Sequence, residues 1–250
     1  MSTEDLDLLK RSLRRREALV ALGGLGAGVV WAATRGSVGI ARAATVTPEA
    51  TAAATCVLSP EVTEGPYWIS NHLTRRNIKD GRPGLTLALY MTVVDATTCK
   101  PITGADVEIW HADAGGVYSG YSGSSPPSGG GGHATPNNSK RFLRGHQKTD
   151  ANGRVHFDTI YPGWYRGRAP HIHMKVHVGG SVVHTGQLFF GDATSRAVYR
   201  TSKYRSHGLQ DTSNASDSIF RGAGGSKAVV HLARRSAGGY NGSITLGVKQ

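Results

Sequence analysis

Apolar and polar positions alternate through residues 85–94 (LTLALYMTVV), the pattern of a β-strand with one face buried. Residues 105–112 (ADVEIWHA) and 171–178 (HIHMKVHV) repeat that period of two. Residues 142–148 and 154–157 flank Asp150-Ala151-Asn152-Gly153, whose Asn-Gly step predicts a hairpin. Gly179-Gly180 predicts a second reversal, from residues 176–178 into 181–184, with 187–190 continuing the sheet. Residues 228–232 and 243–248 predict a closing hairpin. Helical periodicity is confined to residues 193–205, which predict one short helix, and residues 211–227 read as irregular. About eight or nine short strands separated by turn signals predict an all-β domain, an antiparallel β-sandwich. Between the second and third strands, residues 113–138 form a Gly/Ser/Pro-rich loop longer than a structural connection needs. It carries Tyr118 and Tyr121.

The N-terminus follows a different pattern. Leu13-Arg14-Arg15-Arg16-Glu17 precedes a weakly apolar, glycine-rich run over residues 18–33, then the small residues Ala41-Arg42-Ala43. A basic segment, a mild apolar segment and a small-residue cleavage site predict a twin-arginine-type signal peptide over residues 1–43. A retained membrane helix fits less well, because the run is short and rich in glycine, so no stable membrane anchor is expected after processing. Residues 44–55 read as a flexible Ala/Thr/Pro leader and residues 56–250 as the folded domain. The expected location is periplasmic or secreted. Both cysteines, Cys56 and Cys99, fall in the exported part, and an oxidising compartment favours a disulfide between them over two buried thiols.

Composition agrees with the pattern. The chain has 34 glycines and is 38% hydrophobic, enough for a β-rich core. Its net charge of +12 is dispersed rather than gathered in runs. Without an aromatic-basic motif, nucleic acid is not an expected partner. A basic surface instead favours anionic aromatic or carboxylate ligands.

The candidate chemistry lies in Tyr161-Pro162-Gly163-Trp164-Tyr165-Arg166-Gly167-Arg168-Ala169-Pro170-His171-Ile172-His173. His171 and His173 share one strand face, roughly 7 Å apart, and can lean onto one metal ion. Pro162, Gly163 and Pro170 keep Tyr165 in a non-helical loop that can fold back beside them. Taken alone, His-x-His also describes two ordinary sheet histidines, and His111, His156, His177, His184 and His231 lie on predicted strands too. A phenol with a usual pKa of about 10 ligates at neutral pH only when a metal displaces its proton. Imidazole with phenolate suits Fe(III) better than Mg or Ca. No G-x-S-x-G elbow, H-E-x-x-H motif or cysteine cluster supports a hydrolase or structural zinc.

Five separated blocks extend this reading: Thr63-Glu64-Gly65-Pro66-Tyr67, residues 110–118 (WHADAGGVY), Pro162-Gly163-Trp164-Tyr165, residues 168–173 (RAPHIH) and residues 187–192 (QLFFGD). Their order resembles the intradiol ring-cleavage dioxygenases, in particular an exported single-domain branch related to protocatechuate 3,4-dioxygenase and catechol 1,2-dioxygenase. The resemblance covers residues 56–250, without the helical dimerisation domain or the carbohydrate-binding module of some relatives. It implies non-haem Fe(III) held by Tyr118, Tyr165, His171 and His173, with Tyr165 and His173 axial and Tyr118 and His171 equatorial. It further implies that Arg168 and Gln187 line the substrate position. A catechol-type diol and O2 would be the substrates and a cis,cis-muconate the product. Tyr165 would leave the metal and take up a substrate proton. A non-catalytic extracellular binding module, or another metal-dependent oxidase, would be the competing readings. Tyr67 and Trp68 are candidates for the pocket wall or for turn packing, Tyr121 is a candidate to gate or stack on substrate or a solvated loop tyrosine, and Asp113 reads as a turn former. The sequence leaves the oligomeric state and the ring substituent unassigned.

Overall fold

The computed structural model describes residue 56, residues 58–122 and residues 133–249. The predicted signal peptide and leader therefore lie outside the described residues, as does part of the long loop. Among the described residues eight strands form two four-stranded sheets: β1 (Thr86–Asp95), β2 (Asp106–Trp110), β3 (Arg144–Lys148), β4 (Arg154–Ile160), β5 (His171–Val178), β6 (Ser181–Phe189), β7 (His231–Arg234) and β8 (Tyr240–Val248). One sheet has the order β4-β1-β8-β7 and the other β3-β2-β5-β6. The expected β-sandwich is present.

Alternation sets the core. Leu87, Leu89, Met91 and Val93 of β1 meet Val107 and Ile109 of β2 and Ile172, Met174 and Val176 of β5. All nine are buried, and each large aliphatic side chain so buried stabilises the fold by about 1.5–3 kcal/mol. The opposite face of β5 carries His171, His173, Lys175 and His177, of which the first three are buried and His177 half-buried. Alternating character here marks two different environments rather than core and solvent.

Two expectations need correction. The Asp150–Gly153 turn forms, with the Asp150 side chain accepting from the Asn152 and Arg154 amides at 2.8 Å. Yet β3 and β4 do not pair: the turn carries the chain from one sheet to the other, so no hairpin results. The sandwich is also not wholly antiparallel, because β8 returns beside β1 in parallel register, Leu89 opposite Gly242. The Gly179-Gly180 reversal does join β5 to β6, with both glycines at positive φ.

The short helix falls at α1 (Asp192–Tyr199), starting one residue before the predicted stretch and ending inside it. A five-residue turn of helix, α2 (Ser218–Gly222), lies in the stretch expected to be irregular, capped by the Asp217 carboxylate. Cys56 and Cys99 are joined in a disulfide, as expected.

Candidate metal centre and active site

Strand register places one row of side chains on the outward face of the second sheet. Trp110 lies opposite Arg144 on one side and His173 on the other, and His173 lies opposite Gln187. His171 is two residues from His173, so the two imidazoles point the same way. Trp110 stacks flat on His173, centroids 5.0 Å apart and planes 5° apart, which fixes that ring's tilt. The His171 ring is fixed differently: its Nδ1–H donates to the Ala169 carbonyl at 2.6 Å. That bond leaves the Nε2 lone pair facing inward.

Tyr118 enters from the loop after β2. Asp113 shapes that loop by accepting from the Gly115 and Val117 amides at 3.0 and 3.1 Å, and it pairs with Arg82. Arg144, fully buried, clamps the next residue by donating from Nε to the Ser119 hydroxyl and from Nη2 to its carbonyl, both at 2.9 Å. As a result the Tyr118 hydroxyl lies 3.0 Å from His173 Nε2 and 3.3 Å from His171 Nε2. The two Nε2 atoms are themselves 3.0 Å apart. Tyr165 completes the group, its ring 5.5 Å from that of His171 and 5.8 Å from that of Tyr118.

These residues fit a metal ion. Donor atoms bound about 2.1 Å from one centre lie about 3 Å from each other, the spacing these three atoms adopt. Among the described residues His173 Nδ1 has no hydrogen-bond partner, His171 Nδ1 is committed to a carbonyl, and no carboxylate bonds the inward nitrogens. Among the described residues no group of three or more His, Cys, Asp or Glu is arranged to hold a metal; the phenols make this site. Burial holds both imidazoles well below the ordinary histidine range, with the Arg168 charge adding to the effect. It also pushes the Tyr118 and Tyr165 phenols up, Arg168 acting in the opposite sense at both. Neutral nitrogens and phenols awaiting a cation to release their protons are the donor set a trivalent metal needs.

Arg168 and Gln187 are joined to each other and to Tyr165 by hydrogen bonds. Arg168 Nη1 donates to the Tyr165 hydroxyl at 3.2 Å, and Nη2 donates to Gln187 Oε1. Gln187 in turn donates from Nε2 to the Thr63 carbonyl at 2.8 Å.

The aromatic pair Tyr67-Trp68 splits. Tyr67 stacks on Tyr118 with centroids 4.4 Å apart and meets Tyr165 edge-on at 5.8 Å. Trp68 turns away, donating to Glu108 at 3.1 Å under the Lys175 ammonium. Tyr121 is a packing residue whose hydroxyl donates to the Ala134 carbonyl at 3.1 Å. His111 is structural, bonded to Thr159 and the Ala112 carbonyl. Sequence reasoning assigned no role to three contributors: Trp110 and Gly65 fall inside the motif blocks but read locally as core and turn, and Asp217 lies in no motif.

Fold and site together define a β-sandwich protein with a mixed imidazole–phenol centre suited to a hard metal ion. Residues 59–195 match a family model described as a dioxygenase. An intradiol ring-cleavage dioxygenase from Tetranychus urticae is 39% identical, with a TM-score of 0.73 over 78% of this chain and 95% of that one. The dioxygenase domain of a dioxygenase–carbohydrate-binding fusion from Streptomyces sp. SirexAA-E is 27% identical, with a TM-score of 0.56 over 77% of this chain and 99% of that one. Catechol 1,2-dioxygenase of Acinetobacter baylyi is 32% identical over 114 residues, which are 43% of this chain and 32% of that enzyme. The chain thus spans about a third of the length of that curated relative. It belongs to the intradiol ring-cleavage dioxygenase family.

Proposed function

We propose that this chain is a ferric, non-haem dioxygenase that opens catechol-type rings between the two hydroxyl-bearing carbons. Both atoms of O2 enter the product, a cis,cis-muconate-type dicarboxylate. The observation that carries the reading is the convergence of Tyr118 Oη, His171 Nε2 and His173 Nε2 within 3.0–3.3 Å of one another.

Tyr118, Tyr165, His171 and His173 would hold the iron, which supplies Lewis acidity toward a chelating diol and a partner for its reaction with O2. The protein's own groups manage charge and protons. The Tyr165 oxygen, 3.2 Å from Arg168 Nη1, is placed to take up a proton from a substrate hydroxyl. Arg168 then faces the ionised ring and stabilises negative charge as it develops. Gln187 holds the far side of the guanidinium and keeps it in plane with that position. The stacked Tyr67 and Trp110 rings exclude water from the ligands.

Export by the twin-arginine route, with residues 1–43 removed, is part of the same proposal. The Cys56–Cys99 disulfide supports an oxidising destination.

Reconstitution with ferric iron should give a coloured protein, through tyrosinate-to-iron charge transfer, that consumes O2 with catechol, protocatechuate or hydroxyquinol. Tyr165→Phe should keep the iron, shift the colour and lose most turnover. A colourless protein that consumes no O2 with any of the three would overturn the reading.

A further inference from the structure

Asp217 is 2% exposed and its two oxygens do separate things. Oδ1 caps α2, accepting from the Ile219 amide at 2.8 Å and the Phe220 amide at 3.2 Å. Oδ2 reaches across to the site loop, accepting from Arg168 Nε at 2.9 Å and from the Ala169 amide at 2.8 Å. The cap is a familiar way to end a helix. The second pair of bonds is not needed for it.

Those two bonds control two parts of the centre. An arginine guanidinium is planar, so fixing Nε fixes the direction of both terminal nitrogens. With Nε held by Asp217, Nη1 is aimed at the Tyr165 hydroxyl and Nη2 at Gln187. Freed from Asp217, the long side chain has several staggered alternatives and, among the described residues, no other carboxylate within ion-pair distance. Through the Ala169 amide, the same oxygen anchors the peptide segment whose carbonyl receives His171 Nδ1–H at 2.6 Å. One carboxylate, 49 residues away in sequence from Arg168, therefore orients a substrate-facing cation and a candidate metal ligand together.

We propose that Asp217 is a positioning residue for the dioxygenase reaction, acting through Arg168 and Ala169; the assignment rests on the function proposed above. It touches neither substrate nor metal. Its effect is to hold the guanidinium where the ionised ring and the Tyr165 oxygen both meet it.

The test separates positioning from capping. In Asp217→Ser the hydroxyl can still cap α2 but is too short to reach Arg168. In Asp217→Asn the side chain keeps its length but loses its charge and can satisfy only one side fully. Both variants should bind ferric iron and keep a charge-transfer band, displaced from the wild-type position because Tyr165 has lost an oriented partner. Turnover should fall about 10–100-fold, with KM changing less than threefold. In iron-free protein, the Arg168 Nε–H proton should give a slowly exchanging NMR resonance that disappears in both variants. Turnover of Asp217→Ser within twofold of wild type, with an unmoved band, would reduce Asp217 to a helix cap and overturn the proposal. An unprotected Arg168 resonance in the wild type would overturn it as well. If the wild-type protein consumes no O2, the dioxygenase reading fails on that result, and the iron-free resonance still decides whether Asp217 grips Arg168.

Discussion

Gly65 lies directly against the His173 imidazole: a β-carbon on Gly65 would sit 2.9 Å from Cε1 and 3.6 Å from Nε2. Its φ is +72°, so the residue is glycine for two independent reasons, backbone conformation and contact with the ring. Trp110 packs flat against that imidazole too, which limits how far the ring can shift. Gly65→Ala should therefore lower stability by about 1–2 kcal/mol, from the left-handed backbone alone. It should also weaken ferric binding about tenfold or more by displacing His173, on the scale seen when the groups orienting a metal ligand are lost. Thermal melts and iron titration followed by the visible band measure the two effects. Unaltered iron affinity would mean that His173 is not a ligand.

How much of this was legible in the sequence follows from how local each signal is. His171, His173 and Tyr165 lie within one short stretch, where strand alternation and the flanking prolines determine geometry. Tyr118 sits in another segment, and only the ordered motif blocks connect it to the histidines. Asp217, Trp110 and Gly65 act through contacts between distant segments, which leave no periodicity to read. The β3–β4 turn is instructive: Asn152-Gly153 encodes a reversal of the chain but not which sheet receives the next strand. The parallel pairing of β1 with β8 is likewise set by packing of the two sheets, after both strands exist.

Glu108 forms a buried charge cluster in the next row of the same sheet face, opposite His146 and Lys175. Burial alone would raise its carboxyl, but contacts from His146, His177 and Trp68 bring it down to about 2. For His146, burial pulls the imidazole down, and Glu108 with Asp106 more than offsets this and raises it. The signs are opposite. The Glu108 contribution is present above its ordinary value of 4.5 and fades as pH falls toward about 2. The His146 contribution is full below 6.5 and fades as pH rises through its raised folded value. Other histidines, such as His111, held near 4 by burial, tilt the whole profile the other way, so the difference between proteins is the informative quantity. Glu108→Gln should lose most melting temperature relative to wild type between about pH 4.5 and 6.5. The gap should narrow on both sides, and a constant gap across the range would refute the pairing.

The disulfide closes a span of 43 residues between the domain's first described residue and the turn after β1. On the chain-entropy account such a loop stabilises by about 4 kcal/mol. Reduction, or Cys56→Ser with Cys99→Ser, should then lower the melting temperature by about 10 °C. Both cysteines lie outside the contacts that build the metal centre, so the ferric band of the double serine variant should keep its position at temperatures where that variant stays folded. Loss of colour in the folded variant, with no reductant present to act on the iron, would indicate that the tether shapes the site.

Lys175 offers a more demanding test, because it ties the site to the segment that covers it. Its ammonium pairs with Glu64 and lies 3.7 Å over the Trp68 ring, while the other Glu64 oxygen bonds His133 of the long loop. Glu64 is flanked by Thr63, whose carbonyl receives Gln187, and by Gly65, which rests on His173. The Lys175 side chain is 8% exposed and that of Glu64 26%, so removing one partner leaves the other charge only partly solvated. Lys175→Met should accordingly destabilise the domain by about 1–3 kcal/mol, less than a fully buried pair would. Glu64→Gln added to it should recover part of that loss, since the uncompensated carboxylate is gone. If the covering segment positions Gln187 through Thr63, the single Lys175→Met variant should also lower turnover more than the double variant does. Strictly additive stability and turnover in the four-protein cycle would show that the Lys175–Glu64 pair is a surface contact without influence on the centre.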